Sequence, residues 1–229
     1  EYVFKKAYRD ASLFKKHQKN IDRVWFWLTC QDTGEDHLPE QHPTSDWQDA
    51  FPHKYGHCIA TQALYYAALK MTGKSDEALL VKKIVNGQGR PDLKMFDNKK
   101  GFYLPYVWKN HDGDREEGSW FDAQGNLLAI ITGLADKYQA NKILNFVEKN
   151  KINKPYPVKA IYPALKKGDK EWFSYFEKCG AKDPYQYLNG GIWPYLGAFY
   201  VVALVKVGRF KQAQKELENL AHANKIGRE

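Results

Sequence analysis

One pattern recurs three times along the chain and limits what it can fold into. Residues Gly56 to Val85 read as an apolar helix (Ile59, Ala63, Leu64, Tyr66, Ala67), a tight turn at Gly73 and a second helix from Asp76. Asp122 to Lys149 repeats this with Leu127, Leu128, Ile131 and Leu134, a turn at Ala135-Asp136, then Ala140, Ile143, Leu144 and Val147. Trp193 to Ala223 repeats it again and turns at Gly208. In each unit the turn residue (Gly73, Ala135, Gly208) precedes an alanine by five (Ala78, Ala140, Ala213). A small residue there lets the second helix close on the first, so each unit is an αα-hairpin. The alanines recur after 62 and then 73 residues, whereas tetratricopeptide units recur about every 34. The excess lies in long segments before each first helix, roughly 31–55, 87–121 and 151–191. A helical pattern from about Tyr8 to Cys30 adds an incomplete further pair. Hairpins with short turns at one end and long loops at the other predict an all-α fold, an α/α toroid. Its long loops gather on one face, and loops above about 15 residues are usually functional.

Composition narrows the function. The 229 residues carry 35 Lys and Arg against 27 Asp and Glu, a net charge of +8. The lysines fall in scattered pairs, Lys5-Lys6, Lys15-Lys16, Lys82-Lys83, Lys99-Lys100 and Lys166-Lys167. A nucleic-acid surface concentrates its charge, so no nucleic acid is expected. The longest apolar run, Ala198 to Val205, is far short of the eighteen or more residues of a membrane helix. No membrane partner is expected, and the start of the chain shows no signal-peptide pattern. Cys30, Cys58 and Cys179 are odd in number and far apart, which predicts free thiols and a cytoplasmic setting. The first residue, Glu1, falls inside an amphipathic pattern, as in a piece of something longer.

Aromatic residues make up 15% of the chain, and the long loops hold many of them beside carboxylates. The first loop ends Ser45-Asp46-Trp47-Gln48-Asp49-Ala50-Phe51-Pro52. The second ends Glu116-Glu117-Gly118-Ser119-Trp120-Phe121-Asp122. The third carries Lys170-Glu171-Trp172 and then Tyr185-Gln186-Tyr187-Leu188-Asn189-Gly190-Gly191-Ile192-Trp193-Pro194. Aromatic faces stack on the C–H faces of sugars, carboxylates bind hydroxyls, and two carboxylates across a cleft can hydrolyse a glycosidic bond. Singly, each residue has a plainer role. Asp46, Asp49 and Asp122 sit where helix N-caps are favoured, Glu171 among lysines reads as a solvated charge, and Trp193 as core. Gathered on one face, they read as a site. His53 and His57 are four apart without an acidic residue between them, so a zinc site is not expected there, and hydrolysis by two carboxylates needs neither a metal nor an organic cofactor. Gly87-Gln88-Gly89-Arg90 lacks the spacing of a phosphate loop.

The stretch Phe102–Trp193 resembles the C-terminal half of the neutral/alkaline invertase family. More broadly, it is similar to the (α/α)6-barrel glucosidases, including amylo-alpha-1,6-glucosidases of glycogen debranching. The resemblance rests on Gly125-Asn126-Leu127-Leu128-Ala129-Ile130, Ile161-Tyr162-Pro163-Ala164-Leu165, Glu171-Trp172 and Asn189-Gly190-Gly191 with Trp193-Pro194. Upstream, Asp49 followed by Gln62-Ala63-Leu64-Tyr65-Tyr66 extends it to roughly residues 20–210. It implies an inverting glycoside hydrolase acting on an oligosaccharide or α-glucan, with Asp49 as general acid and Glu171 as general base. Trp47, Tyr187 and Trp193 would line the sugar pocket, with Asp122 and Asn189 as hydrogen-bonding partners. Asp49 and Glu171 are 122 residues apart, closer than in the invertases, which leaves sucrose in question and fits glucosidase or debranching relatives. A full barrel needs twelve helices. About eight are legible here, so residues 1–229 read as one domain, a partial (α/α)6 barrel without the N-terminal hairpins. A companion chain or self-association would then cover the open edge near residues 8–30. The alternative is a non-catalytic carbohydrate-binding or helical-repeat interaction protein derived from such a hydrolase.

Overall fold

The computed structural model describes residues 2–109, 112–179 and 183–226, with only the backbone of Ile226. Glu1 therefore lies outside the described residues. The helices are α1 (Tyr2–Tyr8), α2 (Ser12–Lys16), α3 (Gln18–Thr29), α4 (Ile59–Met71), α5 (Ser75–Val85), α6 (Ala123–Thr132), α7 (Lys137–Lys149), α8 (Pro194–Lys206) and α9 (Phe210–Ile226). The fold is mostly α. The three expected hairpins are α4–α5, α6–α7 and α8–α9.

The first helices are apolar around most of their circumference and are buried accordingly. In α6, Ala123, Gly125, Asn126, Leu127, Leu128, Ala129 and Ile130 are all buried. α4 packs on α6 and α6 on α8, making an inner row, while α5 covers α4, α9 covers α8 and α7 contacts α6. The second helices are amphipathic. In α7 only the stripe Gln139, Ala140, Ile143, Leu144 and Val147 is buried. Ala78, Ala140 and Ala213 are buried at the close approaches the sequence marks. The turns are built on Gly73, Gly133 and Gly208, each with φ between 84° and 85°, a left-handed conformation that glycine adopts without strain. The middle turn thus pivots two residues before Ala135. The extra residues lead to a capping box in which Asp136 accepts from the Gln139 amide at 2.8 Å and Gln139 returns the bond.

The long segments are not the pure loops that an all-α reading expects. They carry short antiparallel ladders, two of which hang α4 and α6 on a later segment. β1 (His57–Cys58) pairs with β4 (Tyr106–Lys109), and β4 with β5 (Arg115–Glu117). β2 (Phe96–Asp97) pairs with β3 (Phe102–Tyr103), and β6 (Phe121–Asp122) with β7 (Ile161–Tyr162). At the start of α4 the Ile59 amide donates to Pro105 O at 3.1 Å, and at the start of α6 the Ala123 amide donates to Ala160 O at 3.0 Å. These amides are orphaned at any helix start. α8 opens instead with Pro194, which has no amide hydrogen to satisfy.

A second, smaller core joins all three loop segments. Phe51 comes from the first, Tyr106 and Trp120 from the second, and Ile161, Leu165 and Phe176 from the third. The N-terminal pattern forms α1 to α3, and none of these helices buries a residue. α3 touches the rest through Trp25, whose ring lies 5.8 Å from that of Tyr65. Among the described residues, no helix is long and apolar enough to cross a membrane.

Candidate active site

Where the first loop reaches the inner helices it buries a lysine. Lys54 is 2% exposed, and its Nζ lies 2.7 Å from Asp46 Oδ2 and 3.4 Å from Asp122 Oδ2. Burial works against its charge, but the Asp122 and Asp46 carboxylates prevail and hold its pKa above the usual lysine range. Asp122 is fully buried at the end of β6, directly before α6. Asp46 also accepts the Gln48 amide at 2.8 Å, which fixes the loop's bend.

Around this ion cluster stands an aromatic wall. Trp47 meets Trp193 edge-on at 5.6 Å and Tyr195 at 5.2 Å, and Tyr187 meets Trp193 at 5.4 Å. Trp193 Nε1 donates to Tyr187 O at 3.1 Å and locks that pair. Among the described residues, several buried polar atoms here have no hydrogen-bond partner: Asp122 Oδ1, the Tyr195 hydroxyl, Trp47 Nε1 and both ends of the Gln48 amide. Burial, reinforced by Asp122 and Asp46, raises the Tyr195 pKa and keeps its hydroxyl protonated. Buried polar atoms are normally satisfied. Unpaired donors and acceptors beside aromatic faces are what a ring with hydroxyls would complement. A cleft of about 690 Å³, lined in part by Trp27, Gln41, Asp46, Trp47, Tyr65 and Gln124, opens onto this wall.

Neither expected catalytic carboxylate is in that cleft's lining, and Glu171 borders the second, smaller core through the adjacent Trp172. Glu171 is half-buried, and its Oε1 accepts from Ser119 Oγ at 2.7 Å. The adjacent Trp172 packs on Phe51 at 5.9 Å and on Phe176 at 5.8 Å. Asp49 is exposed, two residues before Phe51. The segments bearing Asp49 and Glu171 therefore meet through Phe51 and Trp172. Trp47, Tyr187 and Trp193 share one patch, and Asp122 joins it through Lys54 and Asp46. Asn189 is different. It is fully buried, its Oδ1 accepts the Leu165 amide at 2.8 Å and its Nδ2 donates to Leu165 O at 2.9 Å. Asn126 clips the backbone of Tyr103 in the same way, at 2.8 and 3.0 Å.

Lys54, Gln48 and Tyr195 escaped the sequence reading. Lys54 had one signal, being a lone lysine inside an aromatic, proline-containing loop rather than one of a surface pair. His53 and His57 part company: His53 lies against Phe173, Tyr175 and Phe176, while His57 faces Asp36.

A mostly-α scaffold whose loops assemble carboxylates and an aromatic wall is the kind of site that handles carbohydrate. Comparison with known proteins makes this specific. The profile of the alkaline and neutral invertases, a glycoside hydrolase family, matches residues 90–226, and the chain belongs to that family. It is 39% identical over 100 residues to neutral/alkaline invertase 1, mitochondrial, of Oryza sativa subsp. japonica, covering 43% of this chain and 16% of that protein. It is 35% identical over 100 residues to alkaline/neutral invertase E, chloroplastic, of Arabidopsis thaliana, with the same coverage. It is 32% identical over 107 residues to cytosolic invertase 1 of Oryza sativa subsp. japonica, covering 45% of this chain and 18% of that protein. The chain thus spans less than a fifth of the length of these curated relatives. Their names distribute them among mitochondrion, chloroplast and cytosol, so membership does not select the cytoplasm expected from the cysteines. The matched stretch contains Glu171 and the third loop. Asp49 lies upstream of it.

Proposed function

We propose that the chain is an inverting glycoside hydrolase of the α-glucosidase, debranching or invertase-like kind, working in the cytoplasm on an oligosaccharide or α-glucan. Asp49 protonates the leaving oxygen while Glu171 takes a proton from the attacking water. Trp47, Tyr187 and Trp193 line the sugar pocket, with Asp122 and Asn189 as its hydrogen-bonding partners. The observation that carries this reading is the contact of Phe51 with Trp172, which draws the Asp49 segment to the family-matched segment of Glu171. An inverting pair stands about 6.5–9.5 Å apart to leave room for water. The inner row α4, α6, α8 and the outer helices α5, α7, α9 support the arrangement as one domain, part of an (α/α)6 toroid. A companion chain or a second copy covers the edge near residues 8–30.

The test is sugar release from maltose, isomaltose, panose and sucrose, with the anomer of the first product read by NMR. An α-glucoside should release the β-anomer. Asp49→Asn should lower turnover about 10²–10⁴-fold and lose less on glucosyl fluoride, whose leaving group needs little protonation. Glu171→Gln should suppress both substrates. Near wild-type turnover in either variant would overturn the assignment. Binding of these sugars without release would fit the non-catalytic carbohydrate-binding relative instead.

A further inference from the structure

Upstream of the family-matched stretch, Asp36, Glu40 and His57 come together where the first loop meets the start of α4. One ligand atom from each lies within 4.8 Å of the others. Asp36 and His57 are buried and Glu40 is half-buried. His57 Nε2 is 3.1 Å from Asp36 Oδ2, and its buried Nδ1 has no hydrogen-bond partner among the described residues. Among the described residues, neither Asp36 nor Glu40 has an ion pair with a lysine or arginine. Two carboxylates drawn together out of water need a counter-charge, and one imidazole is a thin one.

The backbone holds this cluster in shape. Asp32 accepts the amides of Asp36 and His37 at 2.9 and 2.8 Å. Asp36 Oδ1 accepts the Leu38 amide at 3.2 Å, which leaves Oδ2 turned to His57. The Glu40 amide donates to Gln31 O at 2.8 Å, and the Thr33 hydroxyl meets the Glu40 carboxylate. Gln41 and Gly56 exchange two backbone hydrogen bonds just behind it. His57 is fixed by the pairing of β1 with Val107. A cleft of about 360 Å³, lined by Thr33, Glu40, Tyr55 and Trp108 among others, gives access to the Glu40 side.

We propose that Asp36, Glu40 and His57 bind a divalent transition-metal ion, of the Mn²⁺ or Zn²⁺ class, that ties the 32–40 loop to the start of α4. An imidazole with two carboxylates suits these ions better than Ca²⁺, which takes oxygen ligands. Ligands at about 2.0–2.2 Å from such an ion need only small side-chain rotations from the separations seen here. The ion's two charges would balance the two carboxylates.

The test uses the full chain, stripped with a chelator and dialysed, then titrated with MnCl₂, ZnCl₂ and, as a control, CaCl₂ by calorimetry, with thermal unfolding in parallel. One Mn²⁺ or Zn²⁺ per chain should bind and the Tm should rise with its concentration, while Ca²⁺ binds more weakly. Glu40→Gln and Asp36→Asn should each weaken binding about tenfold or more, since even outer-shell partners of a metal carry 10–100-fold. His53→Gln should bind like the wild type. Asp36 also holds the Leu38 amide, so its variant could lose the fold. Glu40→Gln, which keeps an acceptor for Thr33, then decides. Absence of saturable binding by the wild type up to millimolar ion, or wild-type affinity in Glu40→Gln, would overturn the proposal. Sugar hydrolysis is not read, so this outcome is independent of the catalytic assignment.

Discussion

At the scale of single residues, Lys54 governs the site. Removing it leaves Asp122 and Asp46 facing each other in the interior without a cation. Breaking a buried pair from one side costs about 3–5 kcal/mol, so Lys54→Met should destabilise the chain by that order in urea unfolding. The pH dependence has a definite sign. Lys54 has a raised pKa in the folded state, so its contribution is complete below the unfolded lysine value of about 10.4. It is lost as pH rises through the folded value, and the stability gap between wild type and Lys54→Met should narrow in the alkaline range. A gap that stays constant there would show that the lysine acts by packing alone. Asn189→Ala should cost about 1–3 kcal/mol, because it strands the Leu165 amide and carbonyl. Sequence reasoning sees an asparagine beside two glycines and a tryptophan and assigns it to ligand. The clip to Leu165 spans 24 residues, and no local spacing announces it.

At the scale of elements, the hairpins were legible because each writes its own period: apolar faces, a turn and a small residue at the close approach. The ladders were not, because two-residue strands have no alternation to read and are defined by partners tens of residues away. The inner-row contact can be tested by two glycines with opposite physics. A Cβ on Gly125 would stand 2.3 Å from Ile59 Cγ2 and 3.0 Å from the Ala60 amide nitrogen. Gly125→Ala should therefore force α4 and α6 apart and cost about 1–3 kcal/mol as overpacking. A Cβ on Gly73 meets nothing within 4 Å, so Gly73→Ala should cost only the left-handed backbone penalty, about 1–2 kcal/mol. Thermal unfolding separates the two further through a second variant. Ile59→Ala, which removes the Cγ2 that the new Cβ would meet, should cost less in the Gly125→Ala background than in the wild type, and should cost the same with or without Gly73→Ala.

At the scale of the whole molecule, two features oppose each other. α3 exposes Phe26 by 74% and Trp27 by 60%, and α4 exposes Leu64 by 54%, with Val24 and Met71 also exposed on these two helices. Trp27 and Leu64 line the same cleft. Apolar patches above a few hundred Å² usually mark an interface, so this edge favours association. The net charge of +8 opposes it, since like-charged copies repel. Salt resolves the contest, because screening shortens the repulsion to about 10 Å at 0.1 M and leaves apolar burial intact. Sedimentation equilibrium should therefore show an average mass that rises with protein concentration and rises further with added NaCl. Trp27→Glu combined with Leu64→Glu should return the chain to a monomer at every salt concentration. A wild-type chain that stays monomeric throughout, or one that dissociates as salt is added, would mean that the exposed faces of α3 and α4 do not drive assembly.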